Sequence, residues 1–187
     1  MILFVNACVR DNSRTMMLAR RLLGRLSGDV EQVDLAGLIF PVTDQAFLQR
    51  RDRLIAEGRF DSPEFAEARR FACADTIVIA APYYDLSFPA SLKQYIEMIN
   101  VIGITFGYTS EGERIGLCRA KRLYYLTTAG GMIESDEYGF GYLRALASGF
   151  YDIKEIFQVK AEGLDLYGAD TDAVMRNAMR EADMLPV

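Results

Sequence analysis

The sequence predicts an α/β protein: one domain built on a five-stranded parallel sheet with helices on both faces. Three observations predict it. Short apolar runs alternate with stretches of helical periodicity along the whole chain, the pattern of strands joined by crossover helices. The apolar runs are nearly continuous, as strands covered on both faces must be. The 187 residues are 51% hydrophobic, enough for one sizeable core.

Each element has its own justification. Ile2–Asn6 is a first strand. Arg14–Leu26 is a helix, with Met17, Leu18, Leu22, Leu23 and Leu26 at helical spacing. Val30–Leu35 is a second strand. Phe47–Glu57 and Pro63–Cys73 are helical stretches separated by Gly58-Arg59-Phe60-Asp61-Ser62, with Ser62 and Pro63 as an N-cap and first-turn pair. Thr76–Ala81 is a third strand. Pro89–Val101 is a helix with Leu92, Tyr95, Ile96 and Ile99 on one side. The polar excursion from Gly107 to Gly116 has the composition of a small hairpin. Arg122–Thr128 is a fourth strand, Gly139–Phe150 a helix and Lys154–Ala161 a fifth strand. Asp170 caps a last helix from Thr171 to about Asp183. No repeat, linker or low-complexity tract divides the chain, so residues 1–187 form one domain. Five strands suit the order 2-1-3-4-5, in which ligands bind outside the carboxyl ends of the strands near the switch between strands one and three. The loops after Asn6, Ala81 and Thr128 should therefore meet.

Composition removes several function classes. The formal charge of -5 disfavours non-specific binding to nucleic acid or anionic lipid. The chain has no histidine, which excludes histidine triads, general bases and metal ligands. Cys8, Cys73 and Cys118 show neither metal-ligand spacing nor a disulfide framework, and no metal is expected. No apolar run approaches the ~20 residues of a membrane span. The N-terminus reads as a buried strand rather than a signal peptide, and a cytoplasmic location is expected.

Three loops carry the chemistry. After strand one comes Ala7-Cys8-Val9-Arg10-Asp11-Asn12-Ser13-Arg14-Thr15. It has neither G-x-G-x-x-G nor a P-loop. Hydroxyls and free N–H groups at a helix start, with Arg10 and Arg14 nearby, make an anion site; Asn12 or Ser13 simply capping the helix accounts for part of the same pattern. After strand three, Pro82-Tyr83-Tyr84-Asp85-Leu86-Ser87-Phe88-Pro89 offers flat aromatic surface between two prolines. The tyrosines packing beneath the next helix is the alternative. After strand four, Thr127-Thr128-Ala129-Gly130-Gly131 lets the backbone approach a ligand closely, or forms a plain turn. Taken together, the loops fit a phosphate plus a planar heterocycle, which describes FMN.

At these residues the chain resembles the flavodoxin-like NAD(P)H-dependent FMN oxidoreductases, the group of quinone reductases and azoreductases. The densest match runs from Ala81 through Glu97 (APYYDLSFPASLKQYIE) and on through Gly103-Ile104-Thr105-Phe106-Gly107-Tyr108-Thr109. Thr128-Ala129-Gly130-Gly131 and Ala161-Glu162-Gly163-Leu164-Asp165 also match. The resemblance implies a flavodoxin-like fold with Ser13 and Thr15, beside Cys8, Arg10 and Arg14, at the FMN phosphate. Pro82, Tyr83, Tyr84, Asp85 and Leu86 would line the ring and ribityl chain, and Thr128, Ala129, Gly130 and Gly131 the far rim. Many relatives carry Asn where this chain has Asp85, and azoreductase members often carry Arg at the place of Ala129. An ionised Asp85 accepts hydrogen bonds without donating them and places charge near the ring.

The resemblance further implies a homodimer with sites at the interface, Phe106, Tyr108 and Phe150 forming a partner-side wall for the substrate. NADH or NADPH would deliver hydride to the flavin, and a quinone- or azo-type small-molecule acceptor would then take the electrons, a ping-pong exchange in one slot. No side-chain nucleophile is needed; Tyr84 is the candidate proton relay. A flavodoxin-type FMN electron carrier without a nicotinamide step is the alternative.

Overall fold

The computed structural model describes residues 1–187. In chain order its strands are β1 (Ile2–Asn6), β2 (Val30–Asp34), β3 (Thr76–Ala80), β4 (Phe106–Tyr108), β5 (Arg114–Gly116), β6 (Arg122–Thr128) and β7 (Glu155–Ala161). Its helices are α1 (Arg14–Leu23), α2 (Gln45–Ala56), α3 (Ala66–Cys73), α4 (Ala90–Ile99), α5 (Phe140–Gly149) and α6 (Thr171–Met184). β2-β1-β3-β6-β7 form a sheet of 5 parallel strands. Counted within that sheet alone, the order is the expected 2-1-3-4-5. Each pairing is in register from its first residue: Ile2 faces Val30 and Thr76, Thr76 faces Arg122, and Arg122 faces Glu155.

The strand period of two divides the core. Leu3, Val5, Ile77, Ile79, Leu123 and Tyr125 point to the face covered by α3, α4 and α5, with Leu54 of α2 at its margin, in a cluster of 29 buried residues. Ile2, Phe4, Val78, Ala80, Tyr124 and Leu126 point to the other face, covered by α1 and α6, in a cluster of 16. Near-continuous apolar strands are required because both faces are buried. Side chains tie α1 to α6: Arg21 forks onto Asp183 with two bonds of 2.7 Å, and Arg25 donates to the carbonyl of Ala182 at 2.6 Å.

Element ends differ from the sequence reading by a few residues, each for a local reason. α1 stops at Leu23, where Gly24 takes the C-cap. α2 starts at Gln45, ahead of the expected Phe47, because the Asp44 carboxylate accepts the Phe47 N–H at 2.8 Å. Pro63–Phe65 form a 3-10 turn before α3, and the Ser62 hydroxyl bonds Glu64 instead of capping the backbone. Pro89 sits at the cap position of α4 rather than within it, and α4 ends at Ile99, where Arg51 donates to the carbonyls of Glu97 and Asn100. α5 lies just inside the expected 139–150 span. The polar excursion does close a hairpin, β4 antiparallel to β5, with Gly107 opposite Ile115.

Candidate functional site

The loop after β1 leaves the sheet at a fixed angle. Buried Asn6 donates to Asp34 Oδ1 at 2.6 Å and accepts the Cys8 N–H at 2.9 Å, while Ala7 N–H bonds the Ala80 carbonyl. The chain then enters α1 through Ser13, whose hydroxyl accepts the Met16 N–H at 3.2 Å. Capping satisfies one of the four orphan donors of a helix start. The N–H groups of Arg14 and Thr15 find no acceptor in the chain. The Thr15 hydroxyl is buried and shares a 2.7 Å hydrogen bond with the Thr128 hydroxyl, which joins the first loop to the third. Cys8 is buried, and burial pushes its thiol pKa up against the opposing hydroxyls of Ser13 and Thr15. A protonated, enclosed thiol is a packing residue rather than a nucleophile.

The loop after β3 begins with the Tyr83 N–H on the Thr128 carbonyl at 2.9 Å. Tyr84 and Ser87 then exchange two backbone bonds of 2.9 Å each. Between them Asp85 and Leu86 both have positive φ, 50° and 69°. Two successive left-handed residues between such a pair define a primed hairpin turn, which favours Asn and Gly. A leucine there costs about 1–2 kcal/mol. The N–H groups of Asp85 and Leu86 have no acceptor in the chain. The Ser87 hydroxyl pins the turn to the Tyr138 carbonyl at 2.5 Å.

The loop after β6 is braced by the loop after β7. Leu164 N–H bonds the Ala129 carbonyl, Asp165 N–H the Gly130 carbonyl and Gly163 N–H the Gly131 carbonyl. Gly163 has φ +73°, which lets the fourth loop fold back. The N–H groups of Gly130 and Gly131 are left free. Gly130 and Asp165 are closely apposed: a Cβ at 130 would lie 2.5 Å from Asp165 Oδ2 and would displace that carboxylate. Asp165 also holds Arg14 Nη1 at 2.8 Å.

These loops enclose an open cleft of about 330 Å³ at the carboxyl edge of the sheet. Cys8, Arg10, Ser13, Arg14 and Thr15 line it from β1, Pro82, Tyr83 and Tyr84 from β3, and Thr128, Ala129 and Gly130 from β6. Asp85, Leu86 and Gly131 stand beside it without lining it. Phe106 and Tyr108 of the hairpin form a separate cluster with Phe150 at the end of α5, Phe106 lying 5.0 Å from Phe150 and 6.1 Å from Tyr108 between ring centroids. Arg114 lies 4.3 Å over the Phe150 ring. The lining residues that sequence reasoning gave no role are Val9, Leu164 and Asp165. The rule about carboxyl ends applies to the fifth strand too, and Gly163 marks its turn; those signals were present. No group of His, Cys, Asp or Glu residues has the arrangement of a metal site.

The lining fits FMN in kind. Bare helix N–H groups, a hydroxyl and two arginines suit a phosphate, and free N–H groups on two loops beside a pair of tyrosines suit the polar rim of a flat ring. The volume lies at the lower end of ligand pockets.

Known proteins place the chain. A curated FMN-dependent NADH:quinone oxidoreductase 2 of Clostridium acetobutylicum is 44% identical over 120 residues, 62% of this chain and 59% of that protein. An FMN-dependent NADH:quinone oxidoreductase of Clostridium beijerinckii is 41% identical over 122 residues, 64% of this chain and 61% of that protein. The matched region thus spans about three fifths of these relatives. Among solved structures, an azoreductase from Bacillus anthracis superposes with TM-score 0.83 at 23% identity, covering 97% of this chain and 95% of that one. An FMN-dependent NADH-azoreductase from Bacillus anthracis in complex with FMN gives 0.80 at 24% identity, covering 97% and 95%. At such identities the likeness speaks to fold alone. Residues 1–184 match the family model described as Flavodoxin-like fold, and the chain belongs to that family, Flavodoxin_2.

Proposed function

We propose that this protein is an FMN-dependent NAD(P)H oxidoreductase that passes electrons, by ping-pong hydride transfer, to quinone- or azo-type small molecules. The observation that carries the reading is the meeting of an anion-binding helix start, a Tyr-Tyr turn and a glycine turn in one cleft. The curated relatives named NADH:quinone oxidoreductases support the activity.

Ser13, Arg10, Arg14 and the bare N–H groups of Arg14 and Thr15 would hold the phosphate of FMN. The Thr15 hydroxyl contributes by locking this loop to Thr128. Pro82 through Leu86 would lie along the ring and its ribityl chain, and the Gly130 and Gly131 N–H groups would meet the far rim. Bound there, FMN supplies the redox chemistry, taking a hydride from NADH or NADPH and delivering electrons to the acceptor. The chain's part is to bind, orient and stabilise charge. Fixed N–H donors at the rim favour negative charge on the ring without reorganising. Tyr84, 38% exposed at the cleft, would be the residue to relay a proton to the acceptor.

A second copy of the chain would complete the slot, with Phe106, Tyr108 and Phe150 facing the partner's cleft. Half-exposed Tyr108 and Arg114, stacked on Phe150, give that hairpin an aromatic face for the purpose.

Purified protein should be yellow, or turn yellow with added FMN. Stopped-flow mixing with NADH and with NADPH should bleach it, and a quinone should restore the colour. Protein that takes up no FMN would overturn the proposal. Slow bleaching by both nicotinamides would mark an electron carrier instead.

A further inference from the structure

Two charged side chains of the cleft lining are already committed to each other. Arg14, the first residue of α1, donates to Asp165 of the loop after β7 at 2.8 Å, across 151 residues of sequence. Asp165 is held on three sides. Its N–H bonds the Gly130 carbonyl at 2.9 Å, its Oδ1 takes Arg14, and its Oδ2 lies against Gly130, 2.5 Å from where a Cβ would stand. Arg10, the other cation of the lining, makes no ion pair.

The consequence follows from charge balance. An anion arriving at the start of α1 meets an arginine whose charge is already matched, with a carboxylate beside it. Both partners are well exposed, at 41% and 67%, so water screens the pair and it breaks readily. A phosphate carries more charge than a carboxylate and offers bidentate contacts of its own. Arg14 is therefore shared by two competing anions, one built into the chain and one brought by the ligand.

Resting on the FMN reading above, we infer that Asp165 sets the affinity of the phosphate end of the cleft: it holds Arg14 as its counter-ion and must release it when a phosphorylated flavin binds. Asp165 acts through Arg14 and is a positioning residue. Its effect is confined to ligands that carry the phosphate. A purely structural role for Asp165, bracing the Gly130 loop, would affect every flavin alike.

The test compares FMN with riboflavin, titrated into flavin-free full-length protein and followed by flavin fluorescence, for the wild type, Asp165→Asn, Arg14→Gln and the double variant. Asp165→Asn should bind FMN about three-fold more tightly at low salt, with riboflavin unchanged. Raising the salt should shrink that gain. Arg14→Gln should weaken FMN, and adding Asp165→Asn to it should give a smaller gain than in the wild type, since only the direct repulsion between carboxylate and phosphate is left to relieve. Weaker FMN binding by Asp165→Asn, an equal change for riboflavin, or a gain undiminished in the Arg14→Gln background overturns the inference. Wild-type protein that binds FMN while Asp165→Asn matches it overturns the inference alone. Wild-type protein that binds neither flavin overturns the FMN reading and the inference with it.

Discussion

Leu86 is held at φ +69° with its side chain 61% exposed, so the strain is offset by little burial. Residues kept in sparsely populated backbone regions tend to sit where function demands them. Asn tolerates the left-handed region far better. Leu86→Asn is therefore expected to stabilise the fold by about 0.5–1 kcal/mol, visible as a higher urea midpoint with an unchanged slope. A lower midpoint would show that Leu86 is packed in a way the exposed side chain does not suggest. At this scale the sequence was only partly readable. Composition and strand ends indicated Pro82, Tyr83 and Tyr84, but neither Asp85 nor Leu86 announces positive φ, because that is imposed by the Tyr84–Ser87 pairing. The Thr15–Thr128 bond and the Arg14–Asp165 pair join residues more than a hundred positions apart, and no local pattern encodes them.

Among elements, the hairpin shows what tertiary context adds. Its polar tip is evident in the sequence, but its seat is not. Gly116 presses on the backbone of the α5–β7 connection: a Cβ there would come within 2.3 Å of the Tyr151 carbonyl carbon and 2.4 Å of the Asp152 nitrogen. Backbone cannot swing away as a side chain can. Gly116→Ala should therefore destabilise by roughly 1–3 kcal/mol, a larger loss than Gly112→Ala at the open tip, where only the φ of +82° opposes the change. Urea melts of the two variants check the order. The strands were legible within a residue because buried parallel strands need unbroken apolar runs. Helix starts were less so: Asp44 is an N-cap whose following residues, Gln45 and Ala46, carry no apolar signal.

For the molecule as a whole, the pH response follows from what is buried. With no histidine, no side chain titrates between about pH 5 and 8 at its ordinary value. Burial raises the Cys118 thiol from 9.0 to about 12 and the Tyr125 phenol from 10.0 to about 12, and pushes Tyr95 and Tyr151 up as well. These groups stay protonated in the folded state at pH values where the unfolded chain releases its protons. Their contribution is complete below about pH 9 and is lost as pH rises towards the folded values. The urea midpoint should hold from pH 6 to 8, fall above about 9 as the unfolded thiol ionises, and fall more steeply past about 10 as the unfolded phenols follow. A midpoint that rises with alkali would contradict this account.

The cleft draws its walls from four widely spaced stretches, the last of them ending at Asp165. Asp165 lies 151 residues after Arg14, so the cleft exists only once all four stretches have been made and folded together. Fragments that stop short of the last stretch would lack one wall of the cleft.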